Sequence, residues 1–127
     1  MNFKTYYLKE SNKPICRTTP DGDKYWYLNG KLHREDGPAV ELTGNYKAWY
    51  LNDKLHREDG PAVEHANGDK EWFLNDKFHR EDGPAIEYAD GTKEWYLNNK
   101  LYSEPDFYRQ LYHLGKITKE ELFIHLL

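Results

Sequence analysis

Apolar and polar positions alternate along this chain in short runs, and the runs return on a fixed beat. Trp26, Trp49, Trp72 and Trp95 stand 23 residues apart, each followed by Tyr-Leu-Asn or Phe-Leu-Asn. Strand alternation puts Lys24, Trp26 and Leu28 on one face and Tyr25 and Tyr27 on the other. A shorter apolar run, Ala-Val-Glu at 39–41 and 62–64 and Ala-Ile-Glu at 85–87, precedes each later Trp run. Between the two lie Asp21-Gly22, Gly44-Asn45, Asn67-Gly68 and Asp90-Gly91, signals of tight reversal. Their β-branched and aromatic content favours strands, so each 23-residue unit predicts one β-hairpin plus a connector.

Units of this length bury their apolar faces on their neighbours. The expected fold is mainly β: an elongated, twisted antiparallel sheet or β-solenoid of 23-residue hairpin repeats, with a C-terminal helical hairpin as cap. The Trp/Leu face, joined by Val40, Val63 and Ile86, is the expected core, with the Trp rings stacked in one buried row. Tyr27, Tyr50, Phe73 and Tyr96 form a ladder on the opposite, partly exposed face.

A single domain spanning 1–127 is expected. Residues 1–20, with Tyr6-Tyr7-Leu8, read as a degenerate first hairpin, and 21–101 hold the repeats. Residues 102–127 change character: Ser103 serves as helix N-cap with Pro105 in the first turn, and Gly115 stops the helix. Thr118 and Glu121 form a capping box that opens a second helix.

Composition narrows the chemistry. Apolar residues make up only 38% of the chain but aromatics 16%, so few large residues carry most of the burial. A net charge of −4, with both signs interspersed, provides no basic field for duplex nucleic acid and little for anionic membrane surfaces. Neither a spanning apolar run nor a secretory signal is visible, and Cys16 is the single cysteine. A cytoplasmic home is expected, with Cys16 as a small packing residue.

The run LHREDGPAVE at 32–41 returns unchanged at 55–64, and as FHREDGPAIE at 78–87. Repeated His and carboxylates could hold a metal or act as acid and base. Three identical copies, however, form no single asymmetric pocket, and one His per 23 residues gives no ligand spacing. No catalytic residue, metal ligand or cofactor is therefore expected. The run occurs only where another hairpin comes next and is lost at Tyr102-Ser103, which marks it as a structural corner. A strict two-residue turn would set Glu64 opposite Glu71, an unfavourable pair. The natural relief is a shifted register, or a recurring pairing of Arg34, Arg57 and Arg80 with Glu41, Glu64 and Glu87. His33, Arg34, His56, Arg57, His79 and Arg80 also make a candidate secondary docking edge.

The unit Trp-x-x-Asn-Gly-Lys-Leu, a charged stretch, then Gly, resembles MORN-type repeats at Trp26, Asn29, Gly30, Lys31 and Gly37. Trp49, Lys54 and Gly60, then Trp72, Lys77 and Gly83, keep the same pattern. The MORN pattern is richer in glycine and lacks His-Arg-Glu-Asp-Gly-Pro-Ala, so 21–101 is more similar to a related repeat of uncharacterised phage and large-virus proteins. That resemblance implies stacked hairpins and, by analogy, binding of proteins or lipid head groups. It also implies a phage protein that disables a host enzyme or defence component in the host cytoplasm.

The sequence thus points to a non-enzymatic repeat protein with a protein partner, using Tyr27, Tyr50, Phe73 and Tyr96 as the interaction face. Self-association through a sheet edge is a further expectation. The competing reading is a small-molecule or nucleotide-binding protein, with rings stacked on the aromatic rows and Arg34, Arg57 or Arg80 on phosphate.

Overall fold

The computed structural model describes residues 12–127. Tyr6-Tyr7-Leu8 and most of the expected first hairpin fall outside that range. The described chain is mainly β, with two helices at the C-terminal end. Strands β1 (Ile15–Thr18), β2 (Lys24–Leu28) and β3 (Lys31–Leu32) are succeeded by β4 (Val40–Leu42), β5 (Tyr46–Ala48), β6 (Tyr50–Leu51) and β7 (Lys54–Leu55). The same order continues with β8 (Val63–Glu64), β9 (Lys70–Glu71), β10 (Phe73–Leu74) and β11 (Lys77–Phe78). The chain ends with β12 (Ile86–Glu87), β13 (Lys93–Leu97), β14 (Lys100–Tyr102), α1 (Glu104–His113) and α2 (Lys119–Leu126).

One open antiparallel sheet runs β1-β2-β4-β5-β8-β9-β12-β13-β14, with β3 paired to β2. It does not close into a barrel. Two further hairpins, β6–β7 and β10–β11, stand apart from it because the ladder breaks at Trp49 and Trp72. Each 23-residue stretch therefore carries two hairpins where the sequence suggests one hairpin and a connector. The second hairpin turns on residue pairs that both hold positive φ: Asn29-Gly30, Asn52-Asp53, Asn75-Asp76 and Asn98-Asn99. That is the two-residue primed turn whose twist matches the flanking strands.

Register is set by the first hairpin, whose loop is longer than the two residues its dipeptide signal implies. His65 N–H donates to Asp69 O and Gly68 N–H to His65 O, leaving three residues in the loop. Glu64 is thereby moved off Glu71 and onto Lys70. The pairs Lys24–Glu41, Glu41–Lys47, Lys47–Glu64, Glu64–Lys70, Lys70–Glu87 and Glu87–Lys93 then run across the sheet as an unbroken alternation of charge. Cross-strand partners share a face, so every Trp, two residues after its Lys, lies on this charged side.

This register corrects the expected core. Val40 pairs with Tyr25 and Ala48, and Val63 with Ala48 and Glu71, on the face opposite the Trp rings. A one-residue change in loop length moves a whole strand's side chains to the other face. The buried cluster is Val40, Ala48, Ala62, Val63 and Phe73, with Tyr25, Leu32, Tyr50, Leu55 and Phe78 packed against it. Hairpins β6–β7 and β10–β11 contribute the pairs Tyr50–Leu55 and Phe73–Phe78. Phe73 and Phe78 lie 4.2 Å apart, and Phe78 stacks on Tyr96 at 5.0 Å. Of the aromatic ladder Phe73 is core and Tyr50 packs against it, while Tyr27 and Tyr96 are half-buried, and the Trp rings do not form the buried row expected of them.

Helix α1 begins at Ser103, whose Oγ accepts from Asp106 N–H, with Pro105 in the first turn. At its end Gly115 takes φ +73°, Lys116 N–H reaches Leu111 O and Gly115 N–H reaches Tyr112 O. These two bonds satisfy carbonyls that the helix leaves open. The Thr118–Glu121 capping box opens α2. Phe107, Tyr108 and Leu111 of α1 pack with Trp95 and Leu97 as a second cluster. Cys16, expected as a packing residue, is exposed on β1, whose side chains belong to neither cluster.

Candidate interaction grooves

Each His-Arg-Glu-Asp-Gly-Pro run makes a tight corner on the Trp side of the sheet, and its arginine organises it. In the middle corner Arg57 Nε donates to Asp59 Oδ1 at 3.1 Å and Nη1 to Pro61 O at 3.0 Å. Glu64 Oε1 lies 3.8 Å from Nη1. The guanidinium so held covers Trp49, with its carbon 3.8 Å from the ring centroid. Arg34 over Trp26 and Arg80 over Trp72 repeat this at 3.9 Å, with Glu41 at 3.3 Å and Glu87 at 2.9 Å. A planar fork with several donors suits this task in a way an ammonium does not. The expected Arg–Glu pairing is therefore present alongside the shifted register.

Glycine is required in the corner by space. A Cβ at Gly37, Gly60 or Gly83 would sit 2.7–2.8 Å from the guanidinium carbon of Arg34, Arg57 or Arg80. A larger side chain there would require the arginine to shift from its place over the ring.

The histidines join each corner to the next hairpin. His33 Nδ1 accepts from Asn52 N–H, His56 Nδ1 from Asn75 N–H and His79 Nδ1 from Asn98 N–H, all at 3.0–3.1 Å. The adjacent backbone adds Arg34 N–H to Tyr50 O, Arg57 N–H to Phe73 O and Arg80 N–H to Tyr96 O. Asp53 and Asp76 carboxylates receive Leu32 and Leu55 N–H, and Asn99 does the same for Phe78. The tautomer accepting at Nδ1 leaves Nε2–H directed at Glu35, Glu58 or Glu81, at 3.6, 3.5 and 2.9 Å.

After Tyr102-Ser103 replaces the corner, Trp95 has no arginine. Phe107 and Tyr108 of α1 cover it instead, with ring centroids at 5.0 and 5.6 Å, and the ring is only 9% exposed.

Between corners the surface opens into three grooves, bounded by Pro14 and His33–Asp36, by the first and second corners, and by the second and third. Their volumes are about 430, 730 and 540 Å³. Trp26, Trp49 and Trp72 form the floors, with Leu51 and Leu74 in the latter two. The rims are acidic: the side chains of Glu58 and Asp59 are 82% and 89% exposed. Glu35, Asp36 and Asp82 occupy equivalent places, whereas Glu81 is only 44% exposed and lies 3.8 Å from Lys116 Nζ.

The expected interaction face is placed differently. Phe73 is 8% exposed and within the core, and Tyr50 packs against it. Burial, then the carboxylates of Asp76 and Asp53, pushes the Tyr50 phenol above its ordinary range. Tyr96 is half-buried and donates to Glu94, and Tyr27 pairs with Leu32 near the first turn. His33, Arg34, His56, Arg57, His79 and Arg80 do come together along one edge, mostly as joints with their polar atoms turned inward. The corner acids are expected as connector contacts of the arginines, as Asp59 is with Arg57, and not as a groove rim, although their threefold recurrence carries that signal. Among the described residues no group of three or more His, Cys, Asp or Glu is placed to hold a metal ion, and no helix is long and apolar enough to cross a membrane. No protein family, curated protein or solved structure matches this chain.

Proposed function

We propose that this chain is a non-enzymatic, MORN-like repeat protein, a β-solenoid of hairpin units, that binds a protein partner along its row of Trp-floored grooves. One observation carries the reading: the same groove recurs at each corner, with an aromatic floor, a fixed arginine wall and an exposed acidic rim. Recurrence suits an extended ligand read at several points, whereas catalysis needs one asymmetric site. Phe73 of the aromatic ladder is buried and Tyr50 packs against it, which favours the corner edge as the working surface. A host protein bound by a phage-encoded inhibitor is one setting that fits.

A nucleotide held by Arg34, Arg57 or Arg80 is disfavoured, because each guanidinium already faces two carboxylates and a carbonyl.

Selection of a random-peptide library on the immobilised protein tests the reading, with Glu58→Lys/Asp59→Lys as counter-screen. Peptides that bind the wild type and lose the variant support it. A library yielding no peptide sensitive to that change sinks it.

A further inference from the structure

We infer that the grooves take a basic peptide in the polyproline II conformation, with Lys or Arg at every third residue and one cation in each groove. This rests on the groove reading above and narrows it to a ligand class.

Spacing selects the conformation. The Trp positions come directly after β2, β5 and β9 or within them, and these strands are two apart in the sheet order, so successive grooves lie about 9.5 Å apart. A polyproline II helix returns to the same side every three residues, about 9.3 Å. An extended strand returns after about 6.7 Å. An α-helix returns after about 5.4 Å, and its second turn overshoots to about 10.8 Å. Only the first keeps one side chain per groove across all three.

Charge selects the side chain. The middle groove sets Glu35, Asp36, Glu58 and Asp59 against Arg34 and Arg57, and both arginines are committed to aspartate and proline carbonyl. The net field at the rim is negative, and acid side chains would meet it unfavourably. Lysines share this side of the sheet, with Lys13 lining the first groove and Lys116 Nζ 3.8 Å from Glu81 at the third, so the acidic excess is greatest at the middle groove, whose lining holds no lysine. The floor fits the spacer residues: Trp49 has Arg57 over its ring and also lines the groove between the first two corners. Aromatic floors are the surfaces on which proline-rich segments pack.

Calorimetric titration with three peptides tests this: (Lys-Pro-Pro)4, (Lys-Pro)6 and (Glu-Pro-Pro)4. The first should bind at least about tenfold more tightly than the second despite carrying fewer charges, and the third should not bind. Glu35→Gln/Glu58→Gln/Glu81→Gln, which leaves the arginine–aspartate pairs intact and also removes the Lys116–Glu81 pair, should weaken (Lys-Pro-Pro)4 at least tenfold while circular dichroism stays native. Equal or tighter binding of (Lys-Pro)6, indifference to the triple change, or no binding of (Lys-Pro-Pro)4 would overturn the inference. Library peptides that need the groove but lack the three-residue basic spacing would also overturn it, and would leave the groove reading standing. A library with no groove-dependent peptide removes both.

Discussion

Arg57 lies over the ring of Trp49, its guanidinium carbon 3.8 Å from the centroid, while Nη1 reaches Pro61 O and Nε reaches Asp59. The ring is thus covered by a cation whose position is fixed by acceptors of its own corner. Arg57→Lys keeps the charge and loses the fork, and should cost about 1–3 kcal/mol in urea unfolding. A Lys variant as stable as the wild type would show that the forked contacts contribute nothing.

Gly60→Ala should act through the same arginine, since the added methyl would lie 2.8 Å from Arg57 Cζ. We expect a loss of about 1–3 kcal/mol, typical of forcing volume into a packed site. In an Arg57→Ala background the same change should cost much less, and a double-mutant cycle measures the difference. Full additivity would contradict the steric account.

Trp95→Ala removes the ring that joins the sheet to α1, packed on Phe107 and Tyr108. The expected loss is about 3–5 kcal/mol, with faster amide exchange throughout α1. Retained protection of Phe107 and Leu111 would show that the helix holds without it.

Alkaline titration reports on the packing of tyrosines against the first cluster. Tyr46 and Tyr50 are both raised above the ordinary phenol range, chiefly by burial. The folded state therefore favours their neutral form. Stability from this source is fully present below the unfolded phenol value of about 10, and is lost as pH rises through the higher folded values. Absorbance near 295 nm should show phenols ionising late, and Tyr50→Phe should remove part of that late phase. Ordinary titration of all tyrosines would place Tyr46 and Tyr50 in solvent.

Much of the architecture is legible in the residues. The Trp spacing, the Ser103 and Thr118 caps, Gly115 and the Arg–Glu pairing all arise from local chemistry that tertiary context does not override. The core face is not legible, because Asn67-Gly68 announces a reversal without fixing its length, and one residue decides which face Val63 joins. The second hairpin is half legible: Asn29-Gly30 and Asn52-Asp53 read as turns out of the Trp strand, but the two-residue strands that pair across them are too short to show an alternation. The grooves are hidden because a repeated large aromatic reads as core. Arg34, Arg57 and Arg80, eight residues after each Trp, read as partners of Glu and not as covers for the rings.

The four indole N–H signals in a proton–nitrogen NMR spectrum are built-in reporters of which face binds. Trp26, Trp49 and Trp72 floor the grooves, whereas Trp95 lies under α1. On adding a groove-selected peptide, the first three indoles should shift while Trp95 and the backbone amides of Tyr50 and Phe73 stay in place. Shifts concentrated at Tyr50, Phe73 and Tyr96, with the three groove indoles unmoved, would contradict the assignment of core and working surface.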